Sequence, residues 1–338
     1  MSGDRGPNPE RRLPAEQGIV PARPELGGAA ATPSFGLPPG ASEGLPGPPA
    51  PFAIGPRTFA WGERTYVMGI LNVTPDSFSG DGLLATAEPG EPHVAAALTA
   101  ARAMAAAGAD LLDVGGESSR PGHEPVGAAE ERARVVPVIE AIHRELPDMP
   151  ISVDTTKPSV AEAALHAGAG IVNDVWGVAE DDALARVAAE HGVPIVLMHN
   201  RAEARYMSLM AEILADLQAA IERTVRAGVP WERIIVDPGF GFGKTPAHNL
   251  ALLRDLGALR LLGRPVLLGT SRKSTLGKVL DLPADQRLEA TLATTALGIA
   301  AGIDIVRVHD VEPNVRVARM TDVVVRGTPS PATEGGHP

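Results

Sequence analysis

From about residue 66 to residue 309, short apolar runs alternate with longer amphipathic stretches. The runs fall at residues 66–73, 110–115, 150–154, 171–175, 194–199, 234–237, 265–269 and 305–309. Each is rich in Val, Ile or Leu and short enough for a strand buried on both faces. The stretches between them, such as 93–107, 128–146 and 211–227, have the length of helices. One turn signature recurs just ahead of strands: Gly108, Gly168, Gly192, Gly228 and Gly302 each follow a helical stretch by a step. A glycine there can take a positive φ without a Cβ clash, closing the helix and turning the chain back. Repeated βα units over about 275 residues predict an α/β fold, a single (β/α)8 TIM barrel. A doubly wound sheet is the alternative, but Asn72-Val73-Thr74-Pro75 stands where its glycine-rich loop would follow strand one.

Composition then sets the limits of the barrel. Residues 1–50 contain 11 Pro and 9 Gly, which predicts a disordered Pro/Gly-rich N-terminal tail. Residues 51–327 form the expected barrel, and 328–338 a loose end. The absence of cysteine removes disulfides, thiolate nucleophiles and the commonest structural zinc sites. A formal charge of −11 disfavours nucleic acid and anionic lipid as partners. The most apolar stretch, residues 290–303, is shorter than a bilayer span and reads as a buried helix. Together these features predict a cytoplasmic protein with no membrane or nucleic-acid partner.

The C-terminal ends of barrel strands share one mouth. Read there, the sequence supplies Asn72, Asp113 with Glu117, Asp154, Asn173 with Asp174, His199, Asp237, Ser271-Arg272-Lys273, and Arg307 with His309. Oxygen acceptors dominate, which suits a nitrogen heterocycle offering several N–H donors. The basic residues at 271–274 and 307–309 follow strands seven and eight, where barrels commonly bind phosphate, and a helix is expected from about Pro313 to add its amides. Asp237-Pro-Gly-Phe-Gly-Phe-Gly-Lys244 is not a triphosphate loop, because Pro238 occupies the place of the first glycine. It reads instead as a flexible loop carrying two exposed aromatics, Phe240 and Phe242.

Five segments carry a family resemblance. Met68-Gly-Ile-Leu-Asn-Val-Thr-Pro-Asp-Ser-Phe-Ser79 and Gly115-Gly-Glu-Ser-Ser-Arg-Pro-Gly122 resemble the first two signatures of the dihydropteroate synthases. Asp237-Pro-Gly-Phe-Gly-Phe-Gly-Lys244, Ser271-Arg-Lys-Ser274 and Arg307-Val-His-Asp310 resemble three more, in order. The resemblance implies condensation of 6-hydroxymethyl-7,8-dihydropterin diphosphate with 4-aminobenzoate, by way of a cation-like methylene, with Mg²⁺ as cofactor. By the family pattern Asp154, Asn173, Asp237 and Lys273 would hold the pterin. Asn72 would bind the metal, and Asn72, Arg120, Arg307 and His309 the diphosphate. Phe78, Ser119, Pro121, Phe242, Lys273 and Ser274 would shape the aminobenzoate pocket. Asp154, Asp237, Lys273 and Arg120 carry the expected catalytic roles, and two mobile loops, 74–84 and 117–127, would cover the site. Ser119 stands where the family usually has threonine, and Ser79-Gly80-Asp81-Gly82 departs from the commoner Asp-Gly-Gly order. Family members are usually homodimers. A pterin-dependent methyltransferase barrel is the nearest rival, but Ser271-Arg-Lys-Ser274 and the two lid signatures suit aminobenzoate and diphosphate better.

Overall fold

The computed structural model describes residues 46–73, 91–117, 125–177 and 181–327. The chain divides into two units, 1–34 and 35–338, and every described residue lies in the second. A hairpin comes first, β1 (Phe52–Ile54) paired antiparallel with β2 (Arg57–Phe59). The barrel strands follow: β3 (Tyr66–Asn72), β4 (Leu111–Gly115), β5 (Ile151–Asp154) and β6 (Ile171–Asp174). Next come β7 (Ile195–Met198), β8 (Ile234–Asp237), β9 (Leu267–Leu268) and β10 (Ile305–Val308). All pair in parallel, in the order β8-β7-β6-β5-β4-β3-β10-β9. A single bridge, Val236 to Val266, joins the two ends and closes the barrel.

Every barrel strand coincides with a predicted run, with ends moved by a residue or two. The surrounding helices are α1 (Glu91–Ala106), α2 (Ala128–Glu145), α3 (Pro158–His166), α4 (Ala183–His191) and α5 (Leu209–Arg226). After them come α6 (Pro246–Arg254), α7 (Ser274–Leu280), α8 (Leu288–Ala300) and α9 (Val311–Arg326). Helix α9 begins at Val311, two residues before the expected start, so Pro313 sits inside its first turn where a missing N–H costs nothing. The recurring glycines all have positive φ, from 62° at Gly192 to 115° at Gly168.

Strand alternation sorts the core in two. Outward residues such as Val67, Leu112, Val153, Val172 and Val236 pack under the helices. Inward residues Met68, Leu111, Ile171, Val196, Ile235, Leu267 and Ile305 form a separate cluster with Phe52, Ile54, Phe59, Trp61 and Tyr66. The hairpin and the segment after it therefore stopper the N-terminal end of the barrel with aromatic rings; Phe59 lies 4.6 Å from Tyr66 and 5.6 Å from Trp61. Hydrophobic patterning assigns no element to this segment. Residues 46–50, expected in the tail, also approach the body: a Cβ on Gly62 would come within 2.8 Å of the Pro48 ring. Residues 1–45 and 328–338, the rest of the expected tail and loose end, lie outside the described residues. No helix among the described residues is long and apolar enough to cross a membrane.

Candidate active site at the barrel mouth

The same alternation that points Met68 and Ile171 into the barrel floor points polar residues into its upper half. Register carries the pattern across strands: Asn72 pairs with Gly115, Gly115 with Asp154, and Asp154 with Asn173. One layer lower, Asp113 pairs with Ser152. Asp237 ends β8 and Arg307 lies inward on β10 between Val306 and Val308. A low-dielectric cylinder thus holds several carboxylates near one guanidinium.

Arg307 is their hub. Its Nε donates to Asp113 Oδ2 at 2.5 Å and its Nη2 to Asp154 Oδ2 at 2.7 Å, while Asn173 Nδ2 donates to the same Asp113 oxygen at 3.0 Å. Asp113 is fully buried, and its Oδ1 has no hydrogen-bond partner among the described residues. Burial pushes the Asp154 carboxyl up to about 7, against the opposing field of Arg307; Asp113 and Glu131 push the same way as burial. Burial also raises Asp237 to about 6, although the Gly239 amide donates to its Oδ1 at 2.7 Å and Lys273, Arg307 and Lys244 all favour its charged form. Both carboxylates feel Lys273 and Arg307, so two acids and two cations share one field between β5 and β8.

The loop after β8 shapes the next wall. Phe242 lies under Lys273, whose Nζ sits 3.8 Å from the ring centroid, and Gly241 at φ 84° leaves room for the lysine stem. Phe240 is buried, 1% exposed, which corrects the expectation of two exposed aromatics on a flexible loop. The loop is held from within. Lys244 Nζ donates to the carbonyls of Gly239 and Phe242 at 3.0 and 3.1 Å and meets His199 Nδ1 at 3.0 Å. Burial lowers Lys244 to about 7 and His199 to about 4. His199 is therefore neutral, with Nε2–H turned to Asp216 at 3.1 Å and Nδ1 left to accept from the lysine.

Lys273 is aimed by its neighbour. Arg272 takes φ 56°, a left-handed conformation that costs a residue with a Cβ about 1 kcal/mol or more. Its backbone N–H donates to Thr291 Oγ1, its carbonyl accepts from Arg287, and its guanidinium forks onto Asp310 at 3.0 and 2.7 Å. His309 Nδ1 lies 2.9 Å from Ser271 Oγ. The expected basic rim is thus largely balanced inside the protein, with Arg272 on Asp310 and Arg307 on two aspartates.

Of the residues singled out from sequence, Asp154, Asn173, Asp237, Lys273, Phe242, Arg307 and His309 gather at this mouth. Asn72 ends β3 there, half-buried, and Ser274 opens α7 beside Lys273. Phe78, Ser119, Arg120 and Pro121, with most of both expected lid loops, lie outside the described residues. Sequence reasoning misses three contributors. It puts Asp113 at the rim without a role, although its place two residues before Gly115 makes it inward-facing. It treats His199 the same way, and it weighs Lys244 only as the tail of a phosphate loop.

Comparison with known proteins agrees with this geometry. The sequence profile of the family described as pterin binding enzyme matches residues 68–309. The dihydropteroate synthase of Bacillus subtilis is 52% identical over 270 residues, 80% of this chain and 92% of its own. The dihydropteroate synthase of Clostridium difficile, crystallised in the presence of pteroic acid, superposes with a TM-score of 0.75 at 48% identity, covering 79% of this chain and 99% of that one. The Xanthomonas albilineans dihydropteroate synthase with 4-aminobenzoic acid gives 0.76 at 40% identity, covering 83% and 100%.

Proposed function

The chain belongs to the family of pterin-binding enzymes, as one of its dihydropteroate synthases, and we propose that its barrel mouth joins 6-hydroxymethyl-7,8-dihydropterin diphosphate to 4-aminobenzoate, giving 7,8-dihydropteroate and diphosphate. The observation that carries the reading is the inward cluster of Asp113, Asp154, Asn173, Asp237 and Arg307 under Lys273.

The carboxylates and the Asn173 amide would accept the N–H groups of the pterin ring. When the C–O bond to diphosphate breaks, its electron pair leaves with the diphosphate and positive charge spreads from the methylene into the ring. Buried carboxylates stabilise that charge without reorganising water. Asp154, raised to about 7 by burial, is partly protonated at neutral pH; a cation beside it draws it into the charged form as the charge develops. The arylamine nitrogen then bonds to the methylene and gives up a proton to water, so no strong general base is needed. Phe242 and the Lys273 stem would form one wall of the aminobenzoate pocket, with Ser274 at its edge. The roles of Phe78, Ser119 and Pro121 in that pocket, and of Arg120 over the leaving group, carry over from the sequence.

Among the described residues no three His, Asp or Glu side chains stand close enough together to hold a metal by themselves. Asn72 offers one amide oxygen at the mouth, leaving other positions to water and diphosphate, a pattern that fits Mg²⁺. When bound, Mg²⁺ would neutralise charge on the leaving diphosphate. Arg307 uses two of its five N–H groups on carboxylates. It would reach the diphosphate with the others, beside His309. The same reading has the chain working as a cytoplasmic homodimer.

An assay of diphosphate release with both substrates tests the function. Release should require both substrates, stop with EDTA and return with Mg²⁺. Asp237→Asn should lower turnover by about a hundredfold. Turnover independent of aminobenzoate would count against the synthase reading, and turnover unaffected by EDTA against the metal.

A further inference from the structure

We propose that the floor of the barrel, opposite the mouth, holds a second binding site for a small organic anion, its oxyanion on Arg264 and Arg260 and its apolar body against the prolines that precede the hairpin. A cavity of about 300 Å³ opens there, lined among others by Pro46, Pro48, Arg260, Arg264, Val325 and Arg326. That is the low end of the volumes that take small ligands.

The charges of the lining do not balance. Arg264 is 4% exposed, yet it forms no ion pair among the described residues. Its Nη1 donates to the Trp231 carbonyl at 2.6 Å and the guanidinium lies over the Trp231 ring, but its Nε has no hydrogen-bond partner among the described residues. Arg260 makes neither an ion pair nor a side-chain hydrogen bond among the described residues. Arg326, by contrast, is matched in charge: its Nε is 2.9 Å from Asp322, although not in hydrogen-bonding alignment, and its Nη2 donates to the Ile303 carbonyl. One carboxylate in the lining, Asp304, lies in the field of Arg326 and Arg260 without pairing to either, and already accepts from the amides of Val266 at 2.9 Å and Gly62 at 3.2 Å, so one acid faces three arginines.

A buried guanidinium without a counter-charge is costly, because its lost hydration goes uncompensated. Burial lowers Arg264 to about 10, and the opposing field comes from Glu232. An arriving oxyanion would supply the missing acceptor, and the planar fork of arginine suits either a carboxylate or a phosphate. The prolines, Val266, Ile299 and Val325 offer apolar surface beside it. The site shares no residue with the mouth, so it stands independently of the synthase reading.

Titration of the full chain, in a Trp176→Phe background, with inorganic phosphate or with pentanoate at constant ionic strength tests the proposal. Tryptophan emission is the readout, because Trp176 lies at the other end of the barrel and the two tryptophans that remain, Trp231 on Arg264 and Trp61 in the stopper, both lie at the floor. A saturable change at millimolar probe is expected. Saturation by phosphate alone would indicate a phosphate ester, and by pentanoate alone a carboxylic acid; either supports an oxyanion site. Arg264→Met should abolish the change, and Arg260→Gln should weaken binding about tenfold or more, the worth of one lost charge-assisted bond. If Arg264→Met fails to fold, Arg260→Gln decides. A linear response, or affinity unchanged in the variants, overturns the proposal. So does saturable binding seen only in Glu43→Gln, since the cavity would then seat this chain's own carboxylate.

Discussion

Replacing Asp154 by asparagine separates what the residue does for the reaction from what it does to the fold. Burial raises its carboxyl from 3.8 to about 7, a displacement of about three pH units. At about 1.4 kcal/mol per unit, holding the group ionised costs the folded state up to about 4 kcal/mol. The Asp154 side chain keeps 13% of its surface exposed, so solvent screens part of this and roughly 2 kcal/mol is the expected size. The sign follows from the raised value. The fold has its full stability from this group below about pH 4, and loses it progressively as pH rises through about 7. The amide of the Asp154→Asn variant cannot ionise, and its side-chain oxygen still accepts from Arg307. Thermal unfolding of the two proteins should therefore nearly coincide at about pH 4.5 and diverge by about pH 8, with the variant higher. At about 2–4 °C per kcal/mol for a barrel of this size, the gap should reach several degrees. Turnover should fall about a hundredfold in the same variant. Parallel melting curves across the whole range would refute burial as the source of the shift, and near-normal turnover would refute the cation-stabilising role.

Three further outcomes follow from the geometry. Gly239→Ala would place a Cβ 1.8 Å from the His199 carbonyl oxygen at a φ of 67°, so urea unfolding should show a loss of about 3 kcal/mol or more. Lys244→Met should leave the Phe242 carbonyl without its donor, remove one of two from the Gly239 carbonyl, which also accepts from the Phe242 amide, and raise KM for aminobenzoate about tenfold; steady-state kinetics unchanged from wild type would remove Lys244 from the loop's support. Asp310→Asn should raise KM several-fold by releasing Arg272. Adding Arg272→Gly should recover part of the loss, because glycine takes φ 56° without strain, and no recovery would mean the backbone is not what aims Lys273.

Much of this is legible in the sequence because parallel strands buried on both faces need continuous apolar runs, and each helix needs a way to turn back. The positive φ at Gly108, Gly168, Gly192, Gly228 and Gly302 is that requirement made visible. The stopper hairpin escapes because its strands are three residues each, too short for a periodicity to register, although Gly55-Pro56 between Ile54 and Arg57 is a turn signal. Asp154, Asn173 and Asp237 can be read at the mouth since each lies at or near a strand's end. What a linear pattern cannot show is which charges neutralise each other: Arg307 and Asp113 are 194 residues apart, and Arg272 and Asp310 are 38. Their pairing turns an expected anion rim into a balanced one. Phe240 illustrates the converse, since a glycine-rich loop reads as mobile until the lysine clasping its carbonyls is seen.

The closure of the barrel has one last implication. Its thinnest joint is the lone Val236–Val266 bridge beside the two-residue β9, and that joint lies beneath Asp237 on one flank and Lys273 on the other. The wall between those two groups is therefore the one stitched by the fewest strand-to-strand hydrogen bonds.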